Sequence, residues 1–384
     1  MKFTPTSLSL AAVVDVFDQH DLFDTLDNED VLRLSRLGGG EGFGTCQSIR
    51  KSTGISHRRI LRQGMTAAEM AERICRRAAV SVGCDLQSFD AILLCHSHTD
   101  HQACQILADE LAERCELDRS SIQAYNHGCA GFLKLMSQGA ERLCYAPSGS
   151  RVLLLSVETP EYWHDAADRL FCGIVSAGAT AAVMHHGAGI PISCLRSGDV
   201  AIPPEARINQ APLFRKDTTD VFDFRGTALR RTVMRMNSEP VFLNGIELML
   251  SNLRSALAAA NPQPGERVIV APHQPSGKLL KALIAAAKAE FPGLEFLNNL
   301  ESYGNTISSS VPTLLSRLHE VLNHNGLPAI CEGDHVILLA AGICMSDIAD
   351  QMSAGHACLT WQNLRPLPAT RCYSDVVASV ETLR

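Results

Sequence analysis

Close cysteine pairs, basic runs and long apolar segments are all missing from this 384-residue sequence. The chain has 14 cysteines, but no two of them are spaced as CxxC. A structural zinc site needs such close pairs, and a disulfide scaffold clusters its cysteines in a short secreted chain. We therefore interpret the cysteines as reduced thiols of a cytoplasmic protein, most of them packed as small buried hydrophobes.

The charge and hydropathy patterns exclude two further classes of protein. The net charge is −7, the pI is about 6.1, and no run of lysine and arginine could follow a phosphate backbone, so no nucleic-acid partner is expected. No apolar run approaches the ~18 residues that a membrane span needs. The amino-terminal segment predicts no signal peptide, because Pro5 interrupts its short apolar stretch and Asp15 ends it.

Short apolar strands alternate with Ala- and Leu-rich helices, which is typical of an α/β fold. Four strands are nearly all apolar, as expected for strands that are buried on both faces: residues 91–95, 152–157, 268–272 and 336–341. Helical periodicity marks residues 66–80, 103–114, 276–290 and 311–323. Residues 1–88 are interpreted as mainly helical. The Gly- and Pro-rich segment 187–216 is interpreted as the connection between two halves.

The two halves have the features of copies of one unit. FDAILLCH (89–96) resembles ERVIVAPH (266–273), and each ends an apolar strand with a histidine. Cys129 follows His96 by 33 residues, and Asn305 follows His273 by 32. Three ordered matches at a nearly constant offset predict an internal duplication that brings equivalent turns together.

Cys129 stands out from the other cysteines because of its setting, NHGCAGFLKLM. Gly128 and Gly131 allow a sharp backbone bend, and the apolar residues that follow predict a buried helix. A thiol at the first turn of such a helix is expected to have a lowered pKa and nucleophilic character. A buried core thiol is the ordinary alternative for any one of 14 cysteines.

His273 and Asn305 occupy similar turns in the second half. His273 directly follows an apolar strand, at the strand end where α/β proteins place ligand sites, and Ser276 is a helix-start residue. Asn305 lies in a Gly-marked turn, SYGNTISSSVP, before another helix. Alone, each residue would be an ordinary turn or capping residue, so the functional interpretation depends on the repeat.

These segments carry a family resemblance. NHGCAGFL resembles the nucleophile motif of the β-ketoacyl-acyl-carrier-protein synthase III family of the thiolase superfamily, PHQPSGKLL its histidine motif, and YGNTISSSVP its asparagine motif. The resemblance spans roughly residues 45–346. It implies a five-layer αβαβα sandwich of two duplicated halves, with residues 1–210 carrying the cysteine and 211–384 the histidine and asparagine. It also implies a homodimer.

The resemblance implies a two-step acyl transfer in which Cys129 takes an acyl group from a thioester of coenzyme A or acyl carrier protein. His273 and Asn305 would then stabilise the enolate of a malonyl- or β-ketoacyl-type thioester during decarboxylative condensation. Backbone N–H groups of Cys129 and of the Gly342–Ile343 turn would form the oxyanion hole. The thioester is expected to contact three further residues: Lys278, Arg169 and Ser276. No metal or cofactor is expected.

Several residues depart from the family pattern. His127 and Gly128 stand before the nucleophile where the family usually has alanine- or cysteine-like residues. Ala177 replaces an aspartate, and Ser48 and Ser52 replace a tryptophan and an arginine that help to hold coenzyme A. These changes leave the Cys/His/Asn set intact but alter the expected docking of thioesters. They favour a branch of the family in secondary metabolism.

Three other functions remain open at this stage. An acyltransferase on the same fold would pass the acyl group from Cys129 to an alcohol or amine, and a non-catalytic subunit would only shape a complex. The segment HSHTDH (96–101) fits the HxHxDH zinc motif of metallo-β-lactamase-type hydrolases and follows an apolar strand. That fold needs further ligands downstream, and no clear bridging aspartate follows His185–His186.

Overall fold

A computed structural model describes residues 8–39, 42–147, 149–187, 189–345 and 350–362. Within them the chain forms fourteen strands: β1 Leu8–Asp15, β2 Phe23–Leu26, β3 Arg58–Leu61, β4 Ala91–Cys95, β5 Ile122–Tyr125, β6 Arg151–Glu158, β7 Gly178–His186, β8 Ile190–Ala201, β9 Phe214–Phe222, β10 Ala228–Met236, β11 Val268–Pro272, β12 Glu295–Phe296, β13 His335–Ile343 and β14 Gln351–Thr360. It also forms ten α-helices: α1 Asn28–Leu34, α2 Cys46–Thr53, α3 Ala67–Ser81, α4 Gln102–Cys115, α5 Gly131–Leu143, α6 Ser238–Ala260, α7 Gly277–Glu290, α8 Leu300–Tyr303, α9 Ser310–Ser316 and α10 Leu318–His324.

Two sets of five strands repeat one topology. The ten-stranded order is β12-β11-β13-β14-β8-β1-β7-β6-β4-β5. One set consists of β1, β4, β5, β6 and β7, and the other of β8, β11, β12, β13 and β14. Read from the outer edge inward, both sets place their strands in the order third, second, fourth, fifth, first, counted along the chain. The sets meet where β1 pairs with β8 through Ser9↔Pro191 and Leu10↔Ile190. The duplicated architecture that the sequence predicts is confirmed.

Side-chain alternation along the strands builds five layers. In β4, Leu93 packs with helices α5 and α9 between the sheets, whereas Ile92 and Leu94 pack with α3 and α4 on the outside. In β11, Ile269 likewise faces α5 and α9, and Val270 faces α6 and α7. Because successive side chains point to opposite faces of a strand, a strand with helices on both sides must be apolar along most of its length. The four nearly all-apolar segments of the sequence correspond to β4, β6, β11 and β13.

Two sequence assignments missed strands. Segment 187–216, expected to be a connection, contains β8, the first strand of the second set, and only the start of β8 is buried. Residues 1–88 do contain three helices, but they also contain β1, which pairs with β7 along most of its length, and the β2–β3 hairpin. β8 lacks the continuous apolar run that marks the parallel strands, whereas β1 has a short one at residues 10–14.

The helix expected over 311–323 is broken into α9 and α10. The break lies at Arg317, whose guanidinium forms a 2.6 Å ion pair with buried Asp15 of β1. Among the residues that the structure describes, no helix is long and apolar enough to cross a membrane. The predicted boundary at 210/211 stays a prediction, and Ser346 and residues 363–384 lie outside the described ranges.

Candidate active site

The nucleophile turn connects β5 to α5 through a 3₁₀ turn, Gly128–Ala130. Gly128 has φ +66°, and a Cβ there would overlap the carbonyl oxygen of Ile343. A Cβ on Gly342 would lie 2.5 Å from Cys129 Cβ and 2.8 Å from its Sγ. The backbone of β13 therefore lies directly against the thiol, and both glycines are needed for this contact.

His273 is held at the end of β11 by two short hydrogen bonds. Its backbone N–H donates to the Leu339 carbonyl at 2.6 Å, and its Nδ1 lies 2.6 Å from Ser310 Oγ. The Nε2 atom is buried and has no hydrogen-bond partner among the described residues. Burial lowers the pKa of His273 to about 3, so the imidazole is neutral at physiological pH.

Asn305 is fixed by contacts from the first half of the chain. Its N–H donates to the Ile174 carbonyl at 2.9 Å, and its carbonyl accepts from the Ser176 N–H at 2.9 Å. The side-chain oxygen accepts from the Ile307 N–H, and Nδ2 donates to the Pro275 carbonyl at 3.3 Å. A primary amide has two N–H groups, so one remains available to a ligand.

One cavity, of about 170 Å³, brings the predicted residues together. Cys129, His273 and Asn305 line it, as do the predicted Ser276 and the Gly342–Ile343 turn. Much of the remaining wall is aromatic, aliphatic or thioether in character: Trp163, Leu170, Phe171, Ile174, Val175, Met234, Met236, Val241, Phe242, Met249, Met345 and Met352. An apolar wall with a few convergent polar groups is the usual composition of a small-molecule site.

The structure does not place the two predicted basic residues on this wall. Lys278 is exposed in the first turn of α7. Arg169 is exposed, with its guanidinium carbon 5.9 Å from the ring centre of Phe43. Their contact with a thioester stays a prediction.

The thiol is not acidic in the protein without substrate. Burial, and secondarily the nearby Glu158 carboxylate, raise the pKa of Cys129 to about 12. The expectation that the Cys129 thiol has a lowered pKa is therefore wrong. α5 begins only at Gly131, and the loss of hydration outweighs the effect of the backbone N–H groups.

Sequence reasoning missed Glu158, a fully buried carboxyl group at the end of β6. It accepts hydrogen bonds from the Ser97 N–H at 3.1 Å, from Ser97 Oγ at 2.9 Å and from Ser308 Oγ. Burial raises its pKa to about 7, against these hydrogen bonds. Ser97 belongs to the first half and Ser308 to the second, so Glu158 links the two. A lone charge that ends an apolar strand, LLLSVE, is the signal that could have revealed it.

The HSHTDH segment does not converge on a metal centre. His96 Nδ1 lies 2.7 Å from the Val157 carbonyl, and His98 Nδ1 accepts from the Asp100 N–H at 3.0 Å. His101 Nδ1 lies 3.3 Å from Asn126 Nδ2. Over the described ranges, three metal-ligand atoms come together only at His127, Asp199 and Cys344. The geometry therefore argues against the zinc-hydrolase alternative.

Comparisons with known proteins agree with this arrangement. Residues 257–347 match the family described as 3-oxoacyl-[acyl-carrier-protein (ACP)] synthase III C terminal. The chain is 25% identical over 276 residues to the β-ketoacyl-[acyl-carrier-protein] synthase III of Ruegeria pomeroyi, covering 71% of this chain and 81% of that protein. It is 24% identical over 319 residues to the synthase of the same name from Rhodospirillum centenum, covering 83% and 91%.

A solved structure shows the same fold. The priming β-ketosynthase from the R1128 polyketide biosynthetic pathway superimposes with a TM-score of 0.70 at 22% identity, over 93% of this chain and 98% of that one. At that identity the likeness establishes the fold alone. The C-terminal part of the chain thus matches the model of this synthase family, and most of the chain is similar to β-ketoacyl-[acyl-carrier-protein] synthase III proteins at 24–25% identity.

Proposed function

We propose that this protein is a decarboxylating condensing enzyme that carries an acyl group on Cys129. The observation that supports the proposal most directly is that one largely apolar cavity is lined by Cys129, His273 and Asn305. A thiol, a neutral imidazole and a primary amide therefore converge on one space. Together they supply a nucleophile and two N–H donors, as thioester condensation requires.

In the first step, the Cys129 sulfur attacks the carbonyl carbon of an acyl thioester. Its proton leaves with the departing thiol of coenzyme A or carrier protein, so the charges balance. Neutral His273 is the available base, which matters because the resting thiol has a pKa of about 12. Backbone N–H groups of Cys129 and of the Gly342–Ile343 turn would hold the oxyanion, since β13 lies against the thiol.

In the second step, a malonyl- or β-ketoacyl-type thioester binds with its carbonyl oxygen toward His273 Nε2 and Asn305 Nδ2. For a malonyl donor, loss of carbon dioxide leaves an enolate that these two N–H groups stabilise. The enolate carbon attacks the acyl-cysteine, a carbon–carbon bond forms, and the Cys129 thiolate leaves. This role requires the His273 tautomer with hydrogen on Nε2, in which Nδ1 accepts from Ser310. Acceptance of the thiol proton in the first step requires the other tautomer, and the Ser310 hydroxyl fits both because it can donate or accept.

The walls favour an apolar acyl group. The methionine thioethers on the wall adapt to irregular shapes, and two of them, Met234 and Met236, come from strand β10 of a hairpin outside the main sheet. We assign the protein to a branch in secondary metabolism. The structural relatives include the R1128 priming enzyme and a tetronic acid condensing enzyme.

Intact-protein mass spectrometry after incubation with a panel of acyl thioesters tests the first step. We expect a mass increase of one acyl group that disappears in Cys129→Ala and persists in Cys331→Ala, a matched change at an exposed cysteine. Equal acylation of wild type and Cys129→Ala would exclude the proposal. Malonyl-coenzyme A is then added to the acyl-enzyme. Release of a β-keto product supports condensation, whereas release only by alcohols or amines would identify an acyltransferase.

We also propose that the protein acts in the cytoplasm as a homodimer. The ten-stranded order leaves β5 and β12 at its two ends, and pairing of an edge strand with a second copy would continue the sheet. Light scattering during gel filtration would give a mass twice that of the 41.5 kDa chain, and a monomer at micromolar concentration would contradict the proposal.

A further inference from the structure

We propose that His127, Asp199 and Cys344 form a site for a divalent transition-metal ion of the zinc type, beside the nucleophile turn. The three residues come from different elements. His127 directly precedes the 3₁₀ turn of Cys129, Asp199 lies in β8, and Cys344 directly follows β13. Their potential ligand atoms lie within 4.8 Å of one another. The site is separate from the acyl cavity and does not depend on the proposed function.

The ligand types fit this class of ion. Imidazole nitrogen, carboxylate oxygen and thiolate sulfur are the three ligand types that zinc binds in proteins. A site with three protein ligands leaves a fourth position for water. A neutral imidazole, a carboxylate and a thiolate carry two negative charges, which a divalent ion balances. Cys344 would release its proton to solvent on binding.

The contact between His127 and Asp199 has the geometry of two ligands that share a centre. His127 Nε2 lies 3.3 Å from Asp199 Oδ1, yet this buried nitrogen forms no hydrogen bond with any residue that the structure describes. His127 as a whole is only 6% exposed. Bonds of about 2.0 Å at the tetrahedral angle place a nitrogen and an oxygen ligand about 3.3 Å apart. The two side chains thus already have the separation that an ion requires.

The sulfur needs only a small adjustment. With a zinc–sulfur bond of about 2.3 Å, tetrahedral geometry places sulfur about 3.5 Å from the nitrogen and oxygen ligands. The ligand atoms now lie within 4.8 Å of one another, so the sulfur has to approach by at most about 1.3 Å, within reach of a change in side-chain torsion. The Ser353 hydroxyl donates to the His127 carbonyl at 3.3 Å, which fixes the backbone of the histidine against β14.

A metal here would join the two backbone segments on which the acylation step depends. His127 is two residues before Cys129, and Cys344 is adjacent to Ile343. The ion would hold the thiol-bearing turn against the end of β13, where Gly128 already meets the Ile343 carbonyl. Its role is positional, since none of the three ligands lines the acyl cavity.

Metal analysis of the full-length, untagged protein tests the site without any substrate. We expect about one zinc per chain after dialysis, and at least tenfold weaker zinc binding in His127→Ala and Cys344→Ser. The partly exposed Asp199 (36% of its side chain) gives a second variant, Asp199→Asn, which should weaken binding while circular dichroism stays unchanged. The positive charge of Lys134 lies near enough to lower the pKa of His127, and the same charge repels a bound cation, so Lys134→Met should bind zinc more tightly at a pH where His127 is neutral.

Cobalt substitution identifies the sulfur ligand. We expect a near-ultraviolet thiolate-to-cobalt charge-transfer band that is lost in Cys344→Ser and retained in Cys331→Ser, the control at an exposed cysteine. Zinc content and cobalt spectra that do not change in Cys344→Ser or Asp199→Asn would overturn the proposal. Because acylation of Cys129 is measured separately, failure of the metal site and failure of the proposed function give different results.

Discussion

The turns that carry Cys129 and Asn305 occupy equivalent places in the two halves but perform different tasks. Each follows the third strand of its set and leads through a 3₁₀ turn into a buried helix between the sheets. Each has a glycine directly before the functional residue, with φ +66° at Gly128 and φ +67° at Gly304. The duplication supplied the same backbone twice, and the side chain that follows the glycine differs.

The two histidines of the repeat show the same divergence. His96 and His273 each follow the second strand of their set. His96 Nδ1 lies beside the Val157 carbonyl, and the residue is absent from the cavity wall, whereas His273 lines it. Equivalent positions of the two halves therefore differ in function because only one of them, that of His273, lies on the wall of a cavity.

The largest expected difference is between the two histidines. His273→Ala should form the acyl-enzyme more slowly, because the base for the thiol is removed, and should also lose about 10²- to 10³-fold in condensation, because a donor to the enolate is removed. His96→Ala should retain condensation and lose only stability, since its ring is buried outside the cavity. Single-turnover acylation and steady-state product formation separate the effects. Equal losses in both variants would contradict the division of roles.

The next difference is between the two glycines. Gly128→Ala should slow acylation about 10²-fold, because its Cβ would displace the Ile343 carbonyl and shift the thiol by a fraction of an ångström. At Gly304 the new Cβ would meet Ser176 Cβ at 3.0 Å, a contact that a small shift can relieve. Gly304→Ala should therefore acylate normally and slow the condensation step. The reverse pattern in burst kinetics would overturn the comparison.

Glu158 gives a pH-dependent test of the contact between the halves. Its folded pKa of about 7 lies above the ~4.3 of a free glutamate. The folded state therefore binds the extra proton, and stability falls as pH rises from about 4.3 to about 7. Glu158→Gln removes this loss. The free energy of unfolding of the variant, relative to that of the wild type, should therefore rise by about 3 kcal/mol between about pH 4.3 and about pH 7. Urea unfolding at pH 5 and pH 8 measures it, and a constant difference would contradict the assignment.

The smallest expected effect concerns Ser310, which positions His273 from α9. Ser310→Ala should lower the rate of condensation about tenfold, the equivalent of one hydrogen bond of about 1.4 kcal/mol, with little change in the KM of the acyl donor. Ser310→Thr keeps the hydroxyl and should restore most of the rate. An equal loss in both variants would point to packing rather than to the 2.6 Å contact with Nδ1.

The parallel strands were predictable because burial on both faces demands an unbroken apolar run, as in β4 and β11. β8 was missed because a strand of mixed exposure lacks that run. β1 has an apolar stretch at residues 10–14, which was considered only as part of a signal peptide. The Cys129, His273 and Asn305 turns could be identified from glycine placement and from the repeat. Glu158, the cavity wall and the cluster of His127, Asp199 and Cys344 could not, because their members are distant in sequence and meet only through sheet pairing and helix packing.

The sequence by itself determined the α/β class, the duplication and the three residues around which the candidate site is built, because local patterns and motif spacing encode them. The tertiary structure decided the ionisation of the site. A thiol expected to be acidic at a helix start has its pKa raised instead, since the two halves remove it from water and place a carboxyl group nearby. Solvation depends on every element that packs around a group, and no local stretch of sequence contains that information.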